Sequence, residues 1–329
     1  MAVAVPSPVL LWVAIFRVAF RILFGFSTVE KSLQTIHLQR FPTVERPVRN
    51  RWNFSKHMKF QTLFIQTLLL SSTLFFSCKK DDDDTATPVT GNGGITLEFD
   101  NVAGSTQLSL DSTGNTFTNH AGEKFSVTQF NYYVSNIRLE KADGSIYTVP
   151  QDSSYFMVQE SKAESQKVKL KNIPAGDYTK VHFTLGVDSL RSTQDLSKRT
   201  GVLSPDYLSG HGMYWSWNSG YIFMKLEGFS PAAPDSTGKS FFYHIGGFGG
   251  YSSKTINNIR NISLSFPESA TVRTTITPDV HMLVDVLKVW NGVKPFKIAE
   301  IPGYMWGPAS VDISNNYKDM IMVHHVHND

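Results

Sequence analysis

From residue 95 onward the chain alternates apolar and polar positions in short runs separated by turn residues. Runs at 95–99, 106–110, 129–140, 155–159, 167–170, 178–186, 221–227, 240–245, 259–266 and 280–289 follow the period of two, or the β-rich composition, that places one face of a strand in a core. Turns are legible at Asp143-Gly144, at Pro174-Ala175-Gly176 and across 231–238. About ten strands at such spacing predict an all-β fold, an antiparallel two-sheet β-sandwich of jelly-roll or immunoglobulin-like type with long loops. Residues 187–210 break the pattern and read as one such loop, with a helical turn near 193–198. A short helix is expected over 314–319, capped by the Ser314 hydroxyl. No internal break divides 95–329, which reads as one domain.

The segments before residue 95 read as addresses rather than fold. Residues 58–78, MKFQTLFIQTLLLSSTLFFSC, combine a start-like Met58, the positive Lys59, an apolar stretch and a terminal Ser77-Cys78. That order predicts a lipoprotein signal over 58–77, cleaved so that an acylated Cys78 becomes the first residue. Several acyl chains hold such a protein firmly on a membrane leaflet. The alternative, a free cysteine inside a core helix, is disfavoured by Lys79-Lys80-Asp81-Asp82-Asp83-Asp84, a charge run that no core helix continues. Residues 78–94 then form an acidic, flexible tether ending in a Thr-, Gly- and Pro-containing stretch. A second apolar run at 9–26 contains Arg17 and Arg21, which make spanning costly. With a signal starting at 58, residues 1–57 read as an extension upstream of the true start, or else as a poor anchor.

Charge narrows the classes further. Residues 1–77 hold nine Lys/Arg and two Asp/Glu, leaving 22 basic against 26 acidic residues from 78 onward, a net of −4. A basic nucleic-acid surface is therefore not supported. One cysteine in the chain excludes an internal disulfide and any Cys-rich metal module. Phosphate loops, Ser-centred nucleophile elbows, HExxH and CxxC patterns are absent, so among enzymes only one with an unmarked site is left, and the chain is read as a binding protein and not an enzyme.

Candidate chemistry gathers in two places. A dense block contains Met213, Trp215, Trp217 and Met224, followed by His244. If 215–217 is extended, Trp215 and Trp217 share a face. The terminus holds His324, His325 and His327; on a strand, His325 and His327 face the same way and suit a clamp on one ion. Each candidate has a second reading. The tryptophans suit a packed core, the methionines suit gap filling, His244 suits a hydrogen-bonded sandwich position, and the tail suits a solvated end. His120 and His281 stand as weaker single candidates.

Several motifs in order carry a resemblance: Phe130-Asn-Tyr-Tyr-Val-Ser-Asn-Ile-Arg-Leu139, Ile173-Pro-Ala-Gly-Asp-Tyr178, Phe183-Thr-Leu-Gly-Val-Asp188, Met213-Tyr-Trp-Ser-Trp-Asn-Ser-Gly-Tyr221, Leu226-Glu-Gly228 and Tyr243-His-Ile-Gly246. With these the chain resembles the MbnP-like copper-binding family, in the form found among lipoproteins of Bacteroidota, over nearly all of 95–329. The Cys-Lys-Lys-Asp-Asp-Asp-Asp start also resembles a signal for export to the outer face of the outer membrane.

The resemblance implies a β-sandwich that binds copper outside the cytoplasm, in copper acquisition or homeostasis. It also implies a tryptophan oxidised to kynurenine by a dihaem peroxidase resembling MauG; the matching positions are Trp215 and Trp217. The methanotroph type has cysteines after its His-Leu-Gly motif, where this chain has Phe248, Gly249 and Gly250. The expected copper ligands are His244, His325 and His327, with Met213 as a fourth contributor. A TonB-dependent receptor is the further partner expected, and the location is an outer-membrane lipoprotein on its periplasmic or cell-surface face. The rival reading, from another class, is a surface β-sandwich module that binds glycan or protein without a metal.

Overall fold

The computed structural model describes residues 90–204, 212–215 and 220–329. The extension, the signal, Cys78, most of the tether and Trp217 lie outside these described residues.

The strands in chain order are β1 (Asn92–Ala103), β2 (Thr106–Gln107), β3 (Phe117–Thr118), β4 (Lys124–Lys141), β5 (Ile146–Thr148), β6 (Tyr155–Gln159), β7 (Lys167–Pro174), β8 (Gly176–Leu185), β9 (Tyr214–Trp215), β10 (Gly220–Phe229), β11 (Ser240–Gly246), β12 (Arg260–Val272), β13 (Asp279–Asp285), β14 (Gly303–Tyr304) and β15 (Ile321–His327). Among the described residues two α-helices accompany them, α1 (Ser189–Thr193) and α2 (Pro308–Tyr317).

The strands form two sheets that face one another. The smaller runs β15-β13-β1-β2, with β7 also paired to β1. The larger runs β12-β8-β4-β10-β11-β14, and the long β4 also pairs with β3, β5 and β6. The all-β sandwich is as expected, but its sheets are mixed: β1 pairs parallel to β13, and β11 parallel to β14. Local periodicity carries no information on strand direction, because parallel partners are joined by long crossovers.

Phe99 of β1 reaches from the smaller sheet to the larger one. Its ring meets Phe183 of β8 at 5.9 Å and Tyr132 of β4 at 6.2 Å, both edge-to-face, and it is fully buried. Such rings supply much of the apolar area removed from water, on the order of 1.5–3 kcal/mol for one fully buried side chain. In the same core Trp290 packs on Phe125 at 4.8 Å and donates its Nε1–H to the Tyr243 hydroxyl at 3.2 Å.

Three local expectations are corrected. The strand expected over 280–289 ends at Asp285, whose carboxylate accepts the backbone N–H of Leu287 at 3.0 Å and of Gly104 at 2.9 Å and so turns the chain into a 3-10 segment. The helix near the C-terminus starts at Pro308 and ends at Tyr317. Pro at the first helical turn is preorganised for that start. Ser314 is consequently inside the helix, where its hydroxyl donates to the Val311 carbonyl at 2.9 Å rather than capping. The helical turn expected near 193–198 is present as a 3-10 segment at Leu196–Lys198, and ahead of it residues 189–193 form α1, capped by Asp188, which accepts the Arg191 N–H at 2.9 Å.

Candidate metal centre

The candidate centre is on the solvent-facing side of the smaller sheet and follows from one irregularity in strand pairing. On β13, Val280, Met282 and Val284 are buried, which turns Asp279, His281 and Leu283 outward. On β15, Met322 stands opposite Leu283 and Val323 opposite Met282, but the next pair is His281 with His325. His324 is therefore an extra residue, a β-bulge against one partner. Without it, alternation would allow either His324 or His325 on this face, not both. Beyond the bulge the pairing resumes with His327 opposite Asp279.

Ligand atoms of His281, His324 and His325 all lie within 4.8 Å of one another. The rings of His281 and His325 have centroids 4.7 Å apart, and His324 Nδ1 stands 2.7 Å from His325 Nδ1. The His281 Nε2 is 3.4 Å from Asp100 Oδ2. A carboxylate on that nitrogen favours the tautomer with the proton there and the lone pair on Nδ1. The His281 Nδ1 is buried and has no hydrogen-bond partner among the described residues, an arrangement that costs stability unless a ligand satisfies it.

Burial, and then the neighbouring rings of His281, His327 and His324, lower the pKa of His325, so its neutral, ligating form is favoured. Asp279 is raised, first by burial and next by the Glu98 carboxylate on β1. The resulting donor set is rich in imidazole and backed by carboxylates. Imidazole suits copper, zinc and nickel far better than magnesium or calcium, so these residues fit a copper ion. The spacing is within a side-chain adjustment of metal–nitrogen bonds of about 2 Å.

The expected site residues divide. His325 and His327 do face the same way, with their Nε2 atoms 2.7 Å apart. His244 does not join them. It is on β11 of the larger sheet, where its Nε2 meets Glu227 Oε1 of β10 at 2.6 Å; this hydrogen bond, with Lys225 nearby, pulls Glu227 down to about 2. Met213 is fully buried in a small second core with Tyr133, Met157, Val187, Tyr221 and Phe223, and fills space there. His120 is exposed. Two members of the cluster are not among the expected ligands: His281, a weak single candidate in the sequence, and His324, which strict alternation turns away.

Trp215 is buried, 5% exposed, in that same second core. Its ring meets Trp306 edge-to-face at 6.1 Å. Gly246 allows this seat, since a Cβ there would fall 2.9 Å from the Trp215 ring and 2.3 Å from the Tyr221 carbonyl oxygen. Trp215 is on a strand of the larger sheet, and His281, His324 and His325 are on the smaller one, so the two candidate regions are separate.

Comparison with known proteins adds two matches. A solved structure described as MbnP from Methylosinus trichosporium is similar at 16% identity, covering 66% of this chain and 82% of that one, with a TM-score of 0.43. No curated protein matches. The profile of the MbnP family matches residues 92–306, which includes His281 and His244 and stops before β15. Spanning well over half of the sequence, that match shows that the chain belongs to the MbnP family.

Proposed function

We propose that this protein is an extracytoplasmic, lipid-anchored copper-binding protein, and that it holds copper at His281, His324 and His325. The observation that carries the reading is the convergence of three imidazoles within 4.8 Å, one with a buried nitrogen that has no hydrogen-bond partner among the described residues. Membership of the MbnP family, whose resemblance implies copper, supports the choice of ion. Three of the four clustered histidines follow residue 306, so for them the reading rests on geometry and donor chemistry.

In this account copper contributes a soft or borderline Lewis acid, and the chain's own residues do the rest. Asp100 orients His281 and sets its tautomer, and the bulge turns His324 toward His325. The exposed His324 and His327 on the sheet's outermost strand give solvent and partners access. Acylated Cys78 keeps the domain at the outer membrane, and a TonB-dependent receptor is the partner through which copper moves. A dihaem peroxidase acts on Trp215 or Trp217; with Trp215 enclosed beside Trp306, oxidation there proceeds by long-range electron removal rather than haem contact.

The test is an anaerobic titration of the full chain, in detergent, with Cu(I) against a competing chelator. The parent and the His244→Ala and Met213→Ala variants bind alike, while His281→Ala, His324→Ala and His325→Ala each weaken binding. A His281→Ala/His325→Ala double variant that binds as the parent does overturns the assignment.

A further inference from the structure

We infer that the histidine cluster holds two adjacent ions, with the His325 ring as the bridge between them. The inference rests on the copper reading above and adds a second position to it.

The two nitrogens of His325 are engaged on opposite sides. Its Nδ1 stands 2.7 Å from His324 Nδ1, and its Nε2 stands 2.7 Å from His327 Nε2. Imidazole lone pairs diverge, so an ion bound to one nitrogen is out of reach of the other. His324 and His327 therefore address different positions, and a single-ion clamp by His325 and His327 leaves His324 and His281 unused. The first position draws on His281, His324 and Nδ1 of His325. The second draws on Nε2 of His325 and on His327, with Asp279 directly opposite His327 across the strand pair.

Asp279 supplies an independent reason for a second cation. Its Oδ1 is buried and has no hydrogen-bond partner among the described residues. A buried carboxylate oxygen left unmatched is costly, and a cation against it removes that cost. Glu98, on the neighbouring β1 strand, already pairs with Lys167 Nζ at 3.1 Å, so Asp279 is the carboxylate left to a cation.

The two positions differ in chemistry. Three imidazoles accept either copper oxidation state, whereas two imidazoles and a carboxylate form a harder set suited to Cu(II) or Zn(II). Filling both releases the remaining N–H proton of His325 to solvent and leaves an imidazolate bridge. No electron is gained or lost.

The experiment uses the full chain in detergent, equilibrium dialysis against Cu(II), and electron paramagnetic resonance. The parent takes up two Cu(II) per chain. The first equivalent gives an isolated Cu(II) signal, and the second lowers the total signal as the spins couple through the ring. His327→Ala takes up one ion and keeps the isolated signal, and Asp279→Asn weakens only the second ion, by more than the about tenfold to 100-fold that a lost supporting contact costs. A parent that stops at one ion, lost in His281→Ala and kept in His327→Ala, overturns the second position and leaves the copper reading intact. Two ions retained in His327→Ala also overturn it. A parent that binds no Cu(II) and no Cu(I) sinks both.

Discussion

His281 and His325 stand directly opposite one another across the β13–β15 pair, their ring centroids 4.7 Å apart, although 44 positions separate them in the chain. Parallel pairing of β13 with β1 places Asp100 within 3.4 Å of the same His281 ring. Three strands from distant parts of the sequence thus build one side of the centre.

His281→Ala removes a ligand from the first position and leaves the core untouched. Copper affinity is expected to fall by more than the about 10–100-fold that losing a supporting contact costs. Asp100→Asn keeps the shape but weakens orientation of the ring, and is expected to fall within that smaller range. Chelator competition on both variants checks the order.

Deleting His324 turns the bulge into regular pairing without changing which face His325 and His327 occupy, because the register beyond it is kept. Folding is expected to survive, as read by thermal melting, while affinity at the first position falls. Loss of all binding together with unfolding would show that the bulge is structural instead.

Acid sensitivity is expected from Glu227, which is hydrogen-bonded to His244. Glu227 is drawn from an unfolded value of about 4.3 down to about 2, so its contribution is fully present above about pH 4.3 and is lost as pH falls toward 2. Urea midpoints measured from pH 6 to pH 2 should fall less steeply in Glu227→Gln than in the parent. Copper stoichiometry should be unaffected, since the pair is on the other sheet.

Phe99→Ala removes the ring that spans the two sheets. A loss of about 3–5 kcal/mol is expected, the range for deleting a fully buried aromatic side chain, read from denaturant unfolding. A loss below about 1 kcal/mol would mean that the sheets do not meet there.

Much of the fold was legible because strand alternation is a local property. Residues 155–159 were read with the boundaries they have, and the expected span 221–227 grew only at its ends. The parallel β1–β13 pairing was not legible, since periodicity reports which face a residue takes and not which strand lies beside it. The site was half legible for the same reason. His325 and His327 share a face by simple alternation, but His324 joins them only through a bulge, and His281 only through a pairing set by the whole fold. His244 is conspicuous in the sequence only through the motif around it, and its cross-strand carboxylate answers its hydrogen-bonding need.

X-ray absorption at the copper edge, on the full chain loaded with one equivalent of Cu(I), reads the atoms that hold the ion. A centre built on His281, His324 and His325 gives a nitrogen shell near 2 Å with the multiple-scattering pattern of two or three imidazoles and no sulfur, diminished in His281→Ala and unchanged in Met213→Ala. A sulfur shell lost in Met213→Ala, or a spectrum indifferent to substitution of His281, His324 and His325, would contradict it.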